Sequence, residues 1–359
     1  MAGAVSTAVA TPPVAEAWEG TGVSVGEVLR RLTEQRNTHD GGVPLVLAGV
    51  LNLVVVAPAP EPRELDEIRG VVDALSDHQP SRSIVVVESD AGEGIDARVS
   101  TGCRSAGGDL SIALELIVLT LRGEAREGAA SAVVPLLRSD LPTVLWWPEA
   151  PDPSPASALN RLTGLAERVV TECGRCADPA AGLRALAAWA PASGAAVTDL
   201  GWAAITPWRQ LIAHMLDKAS LAALRASASA ALITHAAPEP DVPTLLMAGW
   251  LRDLLGERLM VELHPRPGPD EGLIAVELEG SVVGRRLSVE RVPGRPAAVV
   301  CVTEPDGTAR RRMLPLPAVD RARLLAGELE LQHRDRVFER ALATAAAAAA
   351  AGAHASGGP

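Results

Sequence analysis

The sequence predicts an α/β fold, which is α+β when the whole chain is considered. In the first half, short apolar runs typical of buried strands alternate with amphipathic helical patterns, which indicates an α/β layer with a mixed sheet. From Leu259 the hydrophobic period changes to two, which indicates an antiparallel β-meander. We therefore expect an N-terminal α/β domain with a mixed sheet, and a C-terminal domain with helices and a β-meander closed by a long helix.

The length of 359 residues is typical of about two domains, at roughly 150 residues per domain. Composition divides the chain further. We expect an N-terminal segment with one helix at 1–41, the α/β domain at 42–190, the C-terminal α+β domain at 191–342, and an alanine- and glycine-rich disordered tail at 343–359.

The first helix is expected to begin after Ser24. Ser24 and Glu27 can form a capping box, and apolar residues follow at helical spacing. Gly107 and Gly108 mark a hairpin between two strands. The first half ends on an apolar strand at 141–148. The other expected elements are strands at 45–56, 83–87, 97–104 and 110–121, and helices at 61–76 and 124–137.

The second half begins with a strand at Arg168–Thr171 and a helix at Pro179–Trp189, followed by an aperiodic linker at 190–196. Thr206 and Pro207 are suited to cap and open the next helix. The later elements are a strand at 232–234, a helix at 243–255, meander strands at 259–263, 273–278, 286–292, 298–303 and 309–314, and a closing helix at 320–342.

The formal net charge of −11 argues against nucleic acid as a partner, because phosphate binding requires a basic face. No run reaches the ~18 apolar residues of a membrane helix, so we expect no membrane partner. The N-terminus lacks the charged and apolar regions of a signal peptide, and the four cysteines are expected to be mostly reduced. We therefore expect a cytoplasmic protein.

Common catalytic motifs are absent from the sequence. It contains no G-x-S-x-G elbow, no P-loop and no H-E-x-x-H helix, and its seven histidines are scattered. We therefore expect no catalytic, cofactor-binding or metal-binding residues. A small-molecule or sugar-phosphate enzyme remains an alternative, because an α/β domain can bind ligands at its strand ends.

Cys173 and Cys176 form the strongest chemical motif, a Cys-x-x-Cys between a strand and a helix. The N-terminus of that helix can stabilise a thiolate, so a thiol-redox sensor or oxidoreductase is the alternative function. Half of a zinc site and two incidental small apolar residues in a loop are the other interpretations, since a zinc site needs two more ligands.

Glu115 interrupts an otherwise apolar strand. If it faces a buried layer it needs a cationic partner, for which Arg82 or Arg104 is suitable. If it faces a sheet edge, solvent satisfies it. Both alternatives stay open at this point, and neither implies catalysis.

Two adjacent tryptophans lie in the strand at 141–148. Side chains alternate along a strand, so Trp146 and Trp147 point to opposite faces, and one ring needs a cover from a second domain, a partner or a ligand. Arg138 and Asp140 precede this strand, where they form either a surface ion pair or the rim of an interface.

The segment 199–209 adds two more tryptophans and an arginine. Trp208 lies on an apolar helical face, which is more typical of a core, and Trp202 lies in the expected loop before that helix. Trp and Arg are the residue types that dominate interface hot spots. The candidate partner contacts are Trp146, Trp147, Arg138, Asp140, Trp202, Trp208 and Arg209.

Several segments together resemble one protein family. They are, in chain order, 80–86 (Pro-Ser-Arg-Ser-Ile-Val-Val), 136–148 (ending Leu-Trp-Trp-Pro), 199–209 (Asp-Leu-Gly-Trp-Ala-Ala-Ile-Thr-Pro-Trp-Arg) and 246–251 (Leu-Met-Ala-Gly-Trp-Leu). In this order and spacing the chain resembles the OpcA family, the glucose-6-phosphate dehydrogenase assembly proteins of cyanobacteria and actinobacteria. The resemblance covers residues 24–342, nearly the whole chain.

The resemblance implies a non-enzymatic activator with an N-terminal α/β domain and a C-terminal domain. Such a protein would bind glucose-6-phosphate dehydrogenase, the NADPH-producing entry enzyme of the oxidative pentose phosphate pathway, and favour its assembled, active form. The chain departs from the family pattern where Gly201 replaces an alanine, and where Ala203 and Ala204 replace a threonine and an arginine. Gln79 also separates His78 from the proline that usually follows it.

Overall fold

The computed structural model describes residues 17–38, 45–46, 49–58, 60–76, 78–105, 111–149, 160–215, 222, 225, 228–268, 272–280, 286–318, 320–331 and 333–356. The chain separates into two compact units. The N-terminal unit comprises residues 1–146 and 161–166, and the C-terminal unit comprises 147–160 and 167–359. Both combine helices and strands, so the predicted α/β class is confirmed. The predicted segments 42–190 and 191–342 stay predictions.

Strands of the N-terminal unit alternate with helices along the chain. The strands are β1 (Trp18–Gly20), β2 (Leu45–Val46), β3 (Leu51–Pro58), β4 (Ser81–Ser89), β5 (Gly94–Ser105), β6 (Ser111–Arg122) and β7 (Thr143–Trp147). The helices are α1 (Val25–Thr38), α2 (Pro62–Leu75), α3 (Ala129–Val133) and α4 (Asn160–Thr163).

The sheet of this unit is mixed, as expected. Its strand order is β1-β5-β6-β4-β3-β7, with β2 beside β6. Strands β6, β4, β3 and β7 run parallel, and β5 folds back antiparallel onto β6 as the expected hairpin. Side chains of β3 and β4 are buried along nearly their whole length, which explains why both strands are continuous apolar runs. The glycines expected in the hairpin turn lie outside the described residues.

The C-terminal unit contains a parallel pair of strands and a separate six-stranded sheet. Its strands are β8 (Arg168–Thr171), β9 (Ala196–Asp199), β10 (Ala228–His235), β11 (Met260–Pro265), β12 (Leu273–Gly280), β13 (Arg286–Arg291), β14 (Ala297–Thr303) and β15 (Ala309–Pro315). Its helices are α5 (Pro179–Trp189), α6 (Leu200–Ala204), α7 (Thr206–Met215), α8 (Val242–Leu255), α9 (Arg321–Leu329) and α10 (Arg336–Ser356).

Helices α8 and α10 pack so closely that the contact requires a glycine. A Cβ atom on Gly249 would lie 2.3 Å from the carbonyl oxygen of Ala341 and 2.9 Å from the Cβ of Ala345. Most of α8 is buried, which is typical of a helix covered on several sides. It ends at Gly256, whose φ of 107° places it in the region that favours glycine, and this confirms the predicted end of the helix.

Three predicted elements before residue 200 differ in the structure. In place of the single helix expected at 124–137, the structure has a 3₁₀ turn, the short helix α3 and a second 3₁₀ turn. Gly128 and Pro135 interrupt the helical pattern. The strand expected at 45–56 is divided into β2 and β3. The linker expected at 190–196 is a 3₁₀ turn, Ala190–Ala192, that leads into β9.

The second half differs from the prediction at β11 and at the closing helix. Strands β12 to β15 form the predicted antiparallel meander, but β11 pairs parallel with β10 at the sheet edge. The closing helix is divided into α9 and α10. Residues 343–356, expected as a disordered tail, continue α10, because alanine has the highest helix propensity and Ala345 is buried.

The first 16 residues of the expected N-terminal segment lie outside the described residues. Among the helices that the structure describes, none has the length and the apolar run needed to span a membrane.

Candidate partner interface

The two adjacent tryptophans of β7 are both buried. Trp146 belongs to the N-terminal unit and has 0% of its area exposed, and Trp147 belongs to the C-terminal unit and has 2% exposed. Both rings therefore have a packing role in the free chain. Their role as partner contacts stays a prediction.

Arg138 and Asp140 lie on the surface directly before β7. The Arg138 Nη2 donates to Asp140 Oδ2 at 3.0 Å, and the Asp140 side chain is largely exposed. This hydrogen bond is the main reason that the pKa of Asp140 lies below its ordinary value. The two residues thus form the surface ion pair that the sequence offered as one interpretation.

The side chain of Asn52 fixes the backbone of the segment from Arg138 to Leu141 by hydrogen bonds. Its Oδ1 accepts from the Arg138 backbone N–H at 2.9 Å, and its Nδ2 donates to the Arg138 carbonyl at 2.9 Å and to the Leu141 carbonyl at 3.2 Å. The Asn52 side chain is fully buried, and these bonds satisfy its polar atoms. The backbone that carries Arg138 is therefore fixed relative to the sheet.

Glu115 is buried and faces two arginines, which decides between the two earlier interpretations. Arg82 Nε donates to Glu115 Oε2 at 2.8 Å, and Arg36 of α1 donates to Glu115 Oε1. Arg82 also donates to the Leu136 carbonyl at 2.8 Å. Burial lowers the pKa of Arg82, and the carboxylate of Glu115 opposes that effect. The cluster connects α1, β4 and β6 and has a structural role.

Cys173 and Cys176 lie in a 3₁₀ turn between β8 and α5, as the motif predicted. Both are free thiols. A Cβ built on Gly182 of α5 would lie 3.1 Å from the Cys176 Sγ and 3.3 Å from the Cys173 Cβ, so the turn packs directly against this helix.

Asp199, at the end of β9, organises the Cys173 turn. Its Oδ2 accepts from the Thr171 hydroxyl at 2.9 Å and from the Cys173 backbone N–H at 2.8 Å, and its Oδ1 accepts from the Gly201 N–H at 2.8 Å. The last bond caps α6. Burial raises the pKa of Asp199, and the donated hydrogen bonds act in the opposite direction.

The environment of Cys173 is unfavourable for a thiolate. Burial, and then the neighbouring charge of Asp199, raises the pKa of the Cys173 thiol well above its ordinary value. Reactive cysteines have the opposite environment, electropositive and partly exposed. The geometry therefore favours a packing role for Cys173.

Trp202 lies in the short helix α6 rather than in a loop, and it is buried. Its indole Nε1 donates to Asp335 Oδ2 at 2.8 Å, and its ring packs against Phe338 with centroids 5.6 Å apart. The other carboxylate oxygen of Asp335 caps α10, accepting from the N–H groups of Val337 and Phe338 at 2.8 and 3.0 Å. One carboxylate thus joins α6 to the start of α10.

The guanidinium of Arg209 lies over the Trp202 ring. Its guanidinium carbon is 3.5 Å from the centroid of the Trp202 ring, and its Nη2 donates to the Thr206 hydroxyl at 2.8 Å. Burial lowers the pKa of Arg209 to about 10, while attraction to Asp335 and Glu328 raises it. The Arg209 Nε has no hydrogen-bond partner within the described part of the chain.

Trp208 is buried on the apolar face of α7, as its helical position indicated. The guanidinium of Arg291 lies 5.6 Å from its ring centroid. The structure thus brings Trp202 and Arg209 together, whereas Trp208 contacts a different arginine from β13.

Sequence reasoning missed several polar residues that organise this region. Buried Arg168 donates to Glu328 and, at 3.2 Å, to the carbonyl of His333, and burial raises the pKa of Glu328. Arg321 pairs with Glu172 at 3.0 Å. Arg168 and Glu328 lie 160 positions apart, and Arg321 and Glu172 lie 149 positions apart, so a single sequence gives no signal for either pair.

Among the residues that the structure describes, no cluster of three or more His, Cys, Asp or Glu side chains is arranged to hold a metal ion.

Comparison with solved structures gives a weak likeness. The crystal structure of an oxidoreductase from Sinorhizobium meliloti aligns with 86% of this chain and 90% of its own, with 12% sequence identity and a TM-score of 0.38. A TM-score at this level supports no statement about shared fold or activity.

Comparison with curated proteins gives a relative of the family suggested above. The chain is 24% identical over 151 residues to the OxPP cycle protein OpcA of Synechocystis sp.. The match covers 41% of this chain and 31% of that relative, so the chain spans less than a third of the length of the curated relative that it matches.

Family models match most of the chain. Both models describe a glucose-6-phosphate dehydrogenase subunit: residues 72–188 match its N-terminal domain, and residues 195–342 match its C-terminal domain. Because these two models together cover well over half of the sequence, the chain belongs to the OpcA glucose-6-phosphate dehydrogenase assembly family.

Proposed function

We propose that this chain is a non-catalytic partner of glucose-6-phosphate dehydrogenase, which it binds and keeps in its active oligomer. The consecutive matches of both family domains, over 72–188 and 195–342, are the observation that carries this proposal. The name of the Synechocystis relative points to the same pathway. In this role the chain supports the oxidative pentose phosphate pathway and its supply of NADPH.

The physical basis of such activation is differential binding. A partner shifts an equilibrium between dissociated and assembled enzyme only if it binds the assembled form more tightly. A difference of about 1.4 kcal/mol shifts the ratio of the two forms tenfold. An interface with a few well-packed arginine and apolar contacts is sufficient for a difference of this size.

The ends of the parallel strands β8 and β9 support a non-catalytic role. In α/β enzymes the ligand crevice opens at the carboxyl ends of such strands. Here the groups at those ends bond to one another, since the Asp199 carboxylate accepts from Thr171 and from the backbone of Cys173. These donors are already occupied, which favours a packed core over a substrate site at this place.

Titration of the dehydrogenase with this chain tests the proposal. We expect the activity of the enzyme from the same organism to rise with added chain and then to saturate, and we expect the two proteins to co-elute. The matched control is the same concentration of heat-unfolded chain. Unchanged activity together with separate elution, at low and at saturating substrate, would contradict the proposal.

A thiol-redox sensor is the second candidate function. One observation favours it, which is that Cys173 and Cys176 lie in one turn and contact the same glycine of α5. The raised pKa of the Cys173 thiol opposes it. Peptide mapping after mild oxidation tests the sensor function. A thiol-redox sensor requires a disulfide between Cys173 and Cys176, whereas the activator function does not.

A further inference from the structure

Strand β11 forms one edge of the six-stranded sheet, and its outer side pairs with no strand in the described part of the chain. On its inner side it runs parallel to β10, where the N–H of Arg266 donates to the carbonyl of His235 at 2.8 Å. Successive N–H groups of a strand point to opposite sides, so those of Val261 and Leu263 point away from β10. This edge therefore offers a backbone ladder to which a further strand can be added.

The opposite edge of this sheet, β15, is protected against such pairing by its charges. Three consecutive exposed arginines lie at 310–312, so a second copy of β15 would bring arginines against arginines. Strand β11 has no run of like charges. One of its faces carries the exposed side chains of Met260, Glu262 and His264, and that of Met260 has 65% of its area exposed. Of the two edges, β11 is therefore the one that can accept another strand.

The sequence of β11 is self-complementary in one antiparallel register. When two copies are related by a two-fold axis perpendicular to the sheet at Leu263, residues opposite each other lie on the same face. Glu262 then lies opposite His264 of the second copy, and His264 lies opposite its Glu262. These are closely spaced, non-hydrogen-bonded positions, where an acidic residue opposite a basic one stabilises the pair of strands. Val261 lies opposite Pro265, which has no N–H and ends the ladder.

We propose that this chain forms a two-fold homodimer through β11, which joins the two six-stranded sheets into one. The occupant of the edge is a second copy of the chain, because the order Glu262, Leu263, His264 meets itself with opposite charges when the strand is reversed. The two Leu263 residues exchange both of their backbone hydrogen bonds. Such an isologous interface closes at two copies, whereas pairing of β11 with β15 of another copy would continue into a filament. Dimerisation does not require the dehydrogenase, so it goes beyond the proposed function.

Sedimentation velocity of the full chain without the dehydrogenase, at concentrations up to about 100 μM, tests whether the dimer forms. We expect the wild type to change from monomer to dimer as its concentration rises, and no larger species to appear. A monomer over the whole range, or species that grow beyond the dimer, would overturn the inference. Either result would leave the proposed function intact, because that function is measured as activation of the dehydrogenase.

An exchange of charges tests the register. His264→Glu places glutamates opposite each other on both sides of Leu263, and we expect the Kd of the dimer to rise at least about tenfold. Glu262→Lys in addition restores opposite charges, and we expect the Kd to return to within about threefold of the wild-type value. Both side chains are exposed, so both variants are expected to unfold at the wild-type temperature. A dimer that His264→Glu leaves unchanged, or that the second change does not restore, would overturn pairing in this register.

The matched control is Met313→Glu, which adds a glutamate at an exposed position on the opposite edge of the same sheet. We expect this variant to change the Kd of the dimer by less than about twofold, because β15 lies outside the interface. A loss as large as that of His264→Glu would show that association depends on net charge or on β15, and it would overturn the assignment to β11.

Discussion

Gly201 has no room for a larger side chain in this structure. A Cβ at this position would lie 2.4 Å from Cγ1 of Val242 and 3.0 Å from Oδ1 of Asp199. Its N–H also donates a hydrogen bond to that buried carboxylate. The position at which the chain departs from the alanine of the family pattern is therefore explained by packing against Val242.

We expect Gly201→Ala to lower the free energy of unfolding by about 1–3 kcal/mol, because the added methyl group must displace a buried neighbour. Urea denaturation followed by tryptophan fluorescence measures the change. The control is Gly70→Ala in α2, where a Cβ meets nothing within 4 Å, and which we expect to be neutral or stabilising. Combining Gly201→Ala with Val242→Ala should lower stability by less than the sum of the two single changes. Additive losses would show that the two side chains do not compete for the same space.

Of the two thiols in their turn, that of Cys173 should react more slowly than that of Cys176. The pKa of Cys173 lies above the ordinary value, so the fraction present as thiolate near pH 8 is smaller than in a free cysteine. In native protein at that pH we expect iodoacetamide to alkylate Cys176 before Cys173, as read by peptide mass spectrometry. Reaction of Cys173 should increase only at a higher pH or after unfolding. Fast alkylation of native Cys173 near neutral pH would contradict this and would strengthen the redox alternative.

At the scale of elements, Glu115 connects three parts of the N-terminal unit. It lies on β6 and accepts from Arg82 of β4 and from Arg36 of α1. A buried carboxylate between two arginines stabilises the fold only while all members are present, because removal of one leaves uncompensated charge.

Glu115→Gln should therefore lower the free energy of unfolding by about 3–5 kcal/mol. The matched control is Glu67→Gln in α2, which removes an exposed pair with Arg63 and should change stability by less than about 0.5 kcal/mol. Chemical denaturation of both variants measures the difference. Similar small changes in the two variants would mean that the buried cluster has no special role in stability.

Elements with a strong local signal were predictable from the sequence, and elements defined by long-range pairing were not. The helix Pro179–Trp189 has the bounds that the pattern indicated, and the strand at 141–148 appears as Thr143–Trp147. Strand Met260–Pro265 was assigned to the meander, because parallel and antiparallel strands share the same side-chain period. Its actual partner, Ala228–His235, could be found only from the fold.

The candidate interface shows the same division. Trp202 and Arg209 were selected for their residue types and position, but the contact that fixes them comes from Asp335, 133 positions after the tryptophan. Asp335 was not selected at all, because only the structure shows that its carboxylate accepts from the Trp202 indole. A sequence reveals residue type and local period, while exposure and partner choice depend on the tertiary structure.

At the scale of the whole molecule, the chain combines family membership with ion pairs that are shielded from solvent in its C-terminal unit. Buried pairs such as Arg168 with Glu328 satisfy charges that a catalytic site would direct towards a substrate. The family models that match the chain describe a dehydrogenase subunit, so binding of that enzyme stays the proposed role.

The most direct test of the central claim is the oligomer distribution of the dehydrogenase, measured by sedimentation velocity at a dilution where its oligomer partly dissociates. With an excess of this chain, we expect the dissociated species to decline and a larger complex containing both proteins to appear, together with a rise in activity. An unchanged distribution of the dehydrogenase at saturating chain would contradict the claim that the chain favours the assembled enzyme.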